Sequence, residues 1–189
     1  LKAPEGLIIY DDDLYIADSG GNIGGTIIKV SQTTGMTVTF AGSGTCSYIT
    51  YDYPYDATSY TLCQPTNIAI DPSTSNLFIS DEGRYEILMV IAATGDLYKL
   101  SEGSSLMYRG LVYADNDLYL NKIQPQLMKL TSDQIQQMIE NNSTTVLSPT
   151  SVTNPNDIPL HTVNSMTKDP FKSVIVMCKY IPSVLVSLS

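Results

Sequence analysis

The sequence predicts an all-β fold, a β-propeller of about four blades with one short helical insertion, and three observations predict it. Four segments repeat one plan: an extended apolar run, a tight acidic or Asn-containing turn, a short strand of the pattern apolar-aromatic-apolar-small-Asp, and after a second turn another strand. Equivalent strands start at residues 14, 77, 118 and 174, at intervals of 63, 41 and 56, and the shortest interval holds the three or four strands of one blade. Several strands are apolar nearly throughout, as expected of sheets covered on both faces. A sandwich of short strands is the competing architecture, and the fixed repeat argues against it.

The first unit, about residues 1–45, runs through Gly6-Leu7-Ile8-Ile9-Tyr10, a turn at 11–13, Leu14-Tyr15-Ile16-Ala17-Asp18 and Thr26-Ile27-Ile28-Lys29-Val30. Asp11, Asp12 and Asp13 offer oxygens of the kind Ca²⁺ takes, but they stand where the chain must turn, and Asp favours turn geometry through its own side-chain hydrogen bonds. Asp18, and Asp81 at the same place in the second unit, end strands; there a carboxylate bonds backbone N–H groups of the following turn, or faces a central channel. Gly20-Gly21-Asn22-Ile23-Gly24-Gly25 leads into a strand, so no helix N-terminus is aimed at a phosphate and the run is read as a loop.

The second unit, about 64–103, repeats Asn67-Ile68-Ala69-Ile70, a turn, Leu77-Phe78-Ile79-Ser80-Asp81 and Ile87-Leu88-Met89-Val90. The third, about 106–148, offers Gly110-Leu111-Val112-Tyr113, Leu118-Tyr119-Leu120-Asn121-Lys122 and Gln126-Leu127-Met128-Lys129-Leu130. The fourth, about 158–189, contains Val174-Ile175-Val176-Met177-Cys178 and Val184-Leu185-Val186-Ser187-Leu188, with Cys178 in the place of the strand-ending Asp, read as a buried and inert thiol. This unit stops after its third strand. Open strand edges at both ends then imply a chain cut from a longer polypeptide or one that polymerises.

Two insertions lengthen the repeat, at 46–63 and 131–157. The first is bracketed by Cys46 and Cys63 and has little apolar content beyond its tyrosines, so a disulfide between the two is expected to staple it; two unrelated reduced thiols are the alternative. Tyr48, Tyr51, Tyr53, Tyr55 and Tyr60 lie inside, and loop tyrosines give large amphipathic contact area, so this is the expected interaction surface unless the rings fold back on the blade rim. In the second insertion Thr131 with Gln134 reads as a capping box, and Ile135, Met138 and Ile139 share a helical face. Asn141-Asn142-Ser143-Thr144 then overlaps two N-glycosylation sequons, on Asn141 and Asn142, ahead of a Pro-containing Ser/Thr loop.

Composition narrows the function. A net charge of −9, with 10 basic residues against 19 acidic ones, opposes gripping a phosphate backbone, so no nucleic acid is expected. Only 15% of residues are charged while 20 Ser and 19 Thr supply a hydroxyl-rich surface, and no apolar run approaches a membrane span. Leu1 stands where an initiator Met would, which reads as a processed or partial chain. His161 is the single His, which removes any two-His zinc site, and no Ser lies in a Gly-x-Ser-x-Gly elbow; no catalytic residue, metal or cofactor is expected.

The motifs of the first two units resemble the NHL-repeat β-propellers. They are Leu14-Tyr15-Ile16-Ala17-Asp18, Thr39-Phe40-Ala41-Gly42-Ser43-Gly44, Asp56-Ala57-Thr58, Leu62, Pro65-Thr66-Asn67-Ile68-Ala69-Ile70-Asp71 and Asn76-Leu77-Phe78-Ile79-Ser80-Asp81. The family's Gly before the Ala at position 57 is absent, and the Tyr-rich insertion has rebuilt the same loop. The resemblance implies a propeller with a binding or scaffolding role and does not imply catalysis. The function expected is a non-catalytic extracellular or cell-surface module, structural or adhesive, that assembles with protein, by self-association or with other subunits, as a filament or surface-appendage subunit. A glycan- or ligand-binding propeller and a metal-dependent lactonase- or lyase-like enzyme are the alternatives.

Overall fold

The computed structural model describes residues 1–47, 53–103, 108–122 and 127–152, and the strand backbones at 163–168, 174–179 and 184–187. Four antiparallel sheets follow one another along the chain. The first orders β1 (Pro4–Tyr10), β2 (Asp13–Asp18), β3 (Thr26–Ser31) and β4 (Thr37–Ala41) as they occur in sequence. The second has five strands, because β5 (Tyr55–Asp56), from within the first insertion, pairs outside β9 (Asp96–Glu102), ahead of β8 (Glu86–Val90), β7 (Leu77–Asp81) and β6 (Pro65–Ile70). The third runs β10 (Tyr108–Ala114), β11 (Asp117–Lys122), β12 (Leu127–Leu130) and β13 (Thr150–Ser151), and β13 lies inside the second insertion. The fourth contains β14 (Val163–Lys168), β15 (Val174–Lys179) and β16 (Val184–Ser187). The inner strands pack in succession, β1 on β6, β6 on β10 and β10 on β14, giving a partial propeller of four blades.

Turn chemistry sets the hairpins. Asp11 and Asp12 take φ of 50° and 59°, and Asp115 and Asn116 take 50° and 64°, the two positive values that a two-residue type I′ turn requires and that Asp and Asn tolerate. Asp13, the third member of the acidic run, pairs with Lys29 across the sheet at 2.7 Å. Where each inner strand begins, the pairing register slips at one recurring place, between Pro4 and Gly6, Pro65 and Asn67, Tyr108 and Gly110, and Val163 and Ser165. A bulge there bends the inner strand at the same end of every blade.

That register corrects one equivalence read from sequence. The partners of Pro4, Pro65, Tyr108 and Val163 are Asp18, Asp81, Lys122 and Lys179, so Lys179 holds the place first given to Cys178, which pairs with Ser165 instead. The role of the two aspartates also differs from the reading. Asp81 accepts the N–H groups of Cys63 and Gln64 at 2.8 and 2.7 Å, and Asp18 those of Lys2 and Ala3 at 2.8 and 2.7 Å. Both therefore cap the segment that enters the inner strand of their own blade; only Gly20, bonded to Asp18 at 3.2 Å, belongs to the turn that follows. Burial works to raise the Asp18 carboxyl, but the three N–H groups outweigh it and hold the group below its ordinary value. For the deeper Asp81 burial wins and the group is raised.

Asp18→Ala is expected to cost about 1–2 kcal/mol at neutral pH, because partly buried N–H groups lose their acceptor. A depressed folded pKa gives stability that is present above the unfolded value and lost as pH falls through the folded one. Urea unfolding at pH 7 and pH 2.5 checks this: the gap between wild type and variant should narrow in acid.

Among the described residues two cores fill the spaces between the first three blades. Tyr15, Ala17, Ile27 and Ala41 of the first blade meet Ile68, Ile70, Leu77, Ile79, Leu88 and Val90 of the second. On its other side the second blade sets Ala69, Phe78, Ile87, Met89, Tyr98 and Leu100 against Leu111, Leu118, Leu120, Met128 and Leu130 of the third. The expected helix, α1 (Ser132–Glu140), carries the Thr131–Gln134 capping box and buries Ile135 and Met138 in this second core.

Candidate interaction surface

The stapled loop begins at the glycine-rich run. A side chain on Gly24, at φ 119°, would strike the Thr45 backbone at 2.1 Å, so glycine is needed for the two segments to touch. Ile23 accepts the Cys46 N–H at 2.9 Å, and Leu62 accepts that of Gly25 at 2.8 Å. The first blade thus forms a landing for both ends of the insertion. Cys46 and Cys63 are joined in a disulfide, with Cα atoms 4.6 Å apart.

Tyr53, Tyr55 and Tyr60 turn toward the second blade. Tyr60 is fully buried and therefore does not belong to a surface; its hydroxyl donates to Glu86 Oε2 at 2.7 Å. Tyr55 leans on Tyr60 at 5.2 Å between ring centroids, and Tyr53 meets Tyr55 and Tyr98 edge-on at 5.2 and 5.5 Å. Tyr53 also donates to the Ser143 carbonyl at 2.6 Å, which ties the two insertions together. Burial, then the neighbouring Tyr98 and Tyr55, pushes the Tyr53 hydroxyl up to about 12. Packing inside the blade is the physical reason: these rings fill space between β9 and the loop. Tyr48, Tyr51 and His161 lie outside the described residues. Asn141 and Asn142 are both exposed at the end of α1, where Asn141 caps the helix through its Nδ2 on the Gln137 carbonyl at 2.8 Å.

Beneath the loop is a charged network that sequence reasoning missed. Glu86, buried at 3% exposure, receives Tyr60, Arg84 Nε at 3.1 Å and Lys99 Nζ at 2.8 Å; Lys99 reaches on to Glu102 at 3.3 Å. Arg84 Nη1 bonds the Ser47 carbonyl and Thr61 Oγ1, both at 3.1 Å, and its guanidinium lies 5.4 Å over the Tyr60 ring. Burial works to strip protons from Lys99 and Arg84, but Glu86 outweighs it and both are raised. A cleft of about 420 Å³ opens beside Lys99 and Glu102. The available signal was a glutamate opening an otherwise apolar strand, Ile87 to Val90, whose neighbour β9 carries a lysine.

With Tyr53, Tyr55 and Tyr60 turned inward, the exposed apolar surface among the described residues lies elsewhere, on the far side of the first sheet. Register aligns Leu7 with Ile16 and Ile28, and Ile9 with Leu14 and Val30. Alternation puts these six on the face opposite Tyr15 and Ala17. Leu7 is 72% and Ile9 63% exposed, and the other four are half-buried. Among the described residues no sheet covers this face.

The sequence matches no protein-family model and no curated protein. In structure the chain is similar to a chain in a crystal structure of a nidogen/laminin complex, at 19% identity and TM-score 0.63, over 94% of this chain and 57% of that one. It is similar also to selenomethionine-substituted virginiamycin B lyase from Staphylococcus aureus (13% identity, TM-score 0.56, 99% of this chain and 56% of that one). A third likeness is to the computationally designed Ika4 protein, at 11% identity and TM-score 0.56, over 100% of this chain and 92% of that one. The chain thus spans somewhat over half the length of the first two. At such identities the likeness carries the β-propeller fold and nothing finer.

Proposed function

We propose that this chain is a non-catalytic, extracellular or cell-surface module that binds protein through the open face of its first blade. The observation that carries the reading is the uncovered aliphatic face built on Leu7 and Ile9, since folded monomers rarely leave a contiguous apolar patch of more than a few hundred Å² in water. Extracellular placement is supported by the Cys46–Cys63 disulfide and by the exposed sequons at Asn141 and Asn142, where we propose that glycan is carried. Among the described residues no group of His, Cys, Asp and Glu is arranged to hold a metal, and the buried Glu86 is engaged by Tyr60, Arg84 and Lys99. Among the described residues no helix is long and apolar enough to cross a membrane.

Cross-linking of native material tests the reading. Partner peptides are expected to join residues 1–40. A Leu7→Glu/Ile9→Glu variant should lose those links about tenfold, with an unfolding midpoint close to wild type because both sites are exposed. Association indifferent to that variant overturns the proposal.

A further inference from the structure

Resting on the glycan of the proposed extracellular module, we infer that the two overlapping sequons are not equivalent: Asn142 is the acceptor, and Asn141 serves as the helix cap. The end of α1 supplies the argument. The N–H of Asn142 bonds the Ile139 carbonyl and that of Ser143 bonds the Met138 carbonyl, both at 3.0 Å, and Asn142 stands at φ 44°. This is the Schellman arrangement, with Asn142 at the left-handed position just past the cap, where glycine is most common and asparagine is tolerated. Asn141 is occupied differently. Its backbone N–H at 3.1 Å and its side-chain Nδ2 at 2.8 Å both donate to the Gln137 carbonyl, one of the acceptors that a helix end leaves open. A glycosyl bond at that nitrogen takes one of its two hydrogens and sets a sugar ring against the last turn. Asn142 is exposed, and among the described residues its side chain makes no hydrogen bond.

The hydroxyl residues differ in the same sense. A sequon needs a hydroxyl two residues after its acceptor, which is Ser143 for Asn141 and Thr144 for Asn142. Ser143 is committed on every side: its Oγ accepts the Thr145 N–H at 3.1 Å, its N–H is bonded to Met138, and its carbonyl accepts the Tyr53 hydroxyl at 2.6 Å. Thr144 is exposed and, among the described residues, its hydroxyl is unengaged. The second sequon therefore presents both its acceptor and its hydroxyl to solvent, while the first is folded into the helix end. Transfer joins Nδ2 of Asn142 to the anomeric carbon of a glycosyl pyrophosphate donor. The C–O bond breaks with its electron pair on the leaving pyrophosphate, and Nδ2 gives one proton to the base of the transferase. No hydrogen bond of the helix end is lost in that step. Because Ser143 is tied to Tyr53, the glycan is rooted over the join between the two insertions.

The overlap allows the two sequons to be tested apart. Native material, and variants secreted from a eukaryotic cell, are digested, treated with peptide N-glycosidase in heavy-oxygen water and fragmented, which marks the acceptor as a heavy aspartate. The mark is expected on Asn142. Ser143→Ala removes the first sequon and keeps the second, and should retain the glycan; Thr144→Val does the reverse and should lose it. Asn142→Gly should lose it too, although Asn141 and Ser143 still form a sequon. That variant should unfold no earlier in urea than Thr144→Val, because glycine suits the left-handed position, so loss of the acceptor is separated from loss of the fold. A mark on Asn141, in the wild type or in Asn142→Gly, overturns the inference and leaves the glycan reading standing, as do marks on both asparagines of one chain. Native material with neither asparagine marked overturns both, and leaves binding through the first blade to its own cross-linking test.

Discussion

Glu86→Gln is expected to lower the unfolding free energy by about 3–5 kcal/mol, the usual cost of removing one partner from a buried charge pair. Glutamine keeps the shape, but Arg84 and Lys99 are left without their shared counter-charge and the Tyr60 hydroxyl faces an amide. Glu102, also bonded to Lys99, is 54% exposed at the side chain, and Glu102→Gln should cost under about 1 kcal/mol. Urea titration of the two variants at pH 7 makes the comparison, and equal costs would reduce the network to a surface ion pair. Because Arg84 also holds the Ser47 carbonyl, loss of Glu86 should loosen the stapled loop as well as the second blade.

Removing the staple is the second large effect. Replacing Cys46 and Cys63 together with serine is expected to cost about 3 kcal/mol, the loop-closure entropy returned to the unfolded chain for a separation of 17 residues. The bond joins the segment leaving β4 to the segment entering β6, so it clamps one blade to the next. A reducing agent should lower the wild-type urea midpoint and leave the double-serine variant unmoved. A midpoint indifferent to reduction would mean that the hydrogen bonds of Gly25, Cys46 and Asp81 hold the loop unaided.

How much of this was legible follows from the range of each interaction. Hairpins, cap and helix are local: Asp11-Asp12, Thr131 with Gln134, and the Ile135–Met138 spacing act within a few residues, and the structure has each where the pattern puts it. Blade equivalence was legible from repeated apolar strands, except in the fourth unit, where one residue of drift moved Lys179 into the place given to Cys178. The direction of the tyrosines was not legible. An amphipathic ring suits an interface and a blade rim equally, and only the pairing of β5 with β9 brings Tyr53, Tyr55 and Tyr98 together. The open face was written as Leu7, Ile9, Leu14 and Ile16, residues indistinguishable in type from those buried one blade later. Among the described residues only the second of these two faces has a blade packed on it, a difference that composition does not encode.

Among the described residues the second blade is held by a core on each side and the first by one. In a stack whose units touch only their neighbours, opening energy accumulates from the ends inward. Amide protons of β7 and β8 should therefore be released to solvent only with the parting of both cores, and those of β1 to β3 with the parting of one. Covering the first sheet would convert an end into a middle. Any partner of that face then acts as a thermodynamic cap, and its binding is felt as slowed exchange in strands that it never touches.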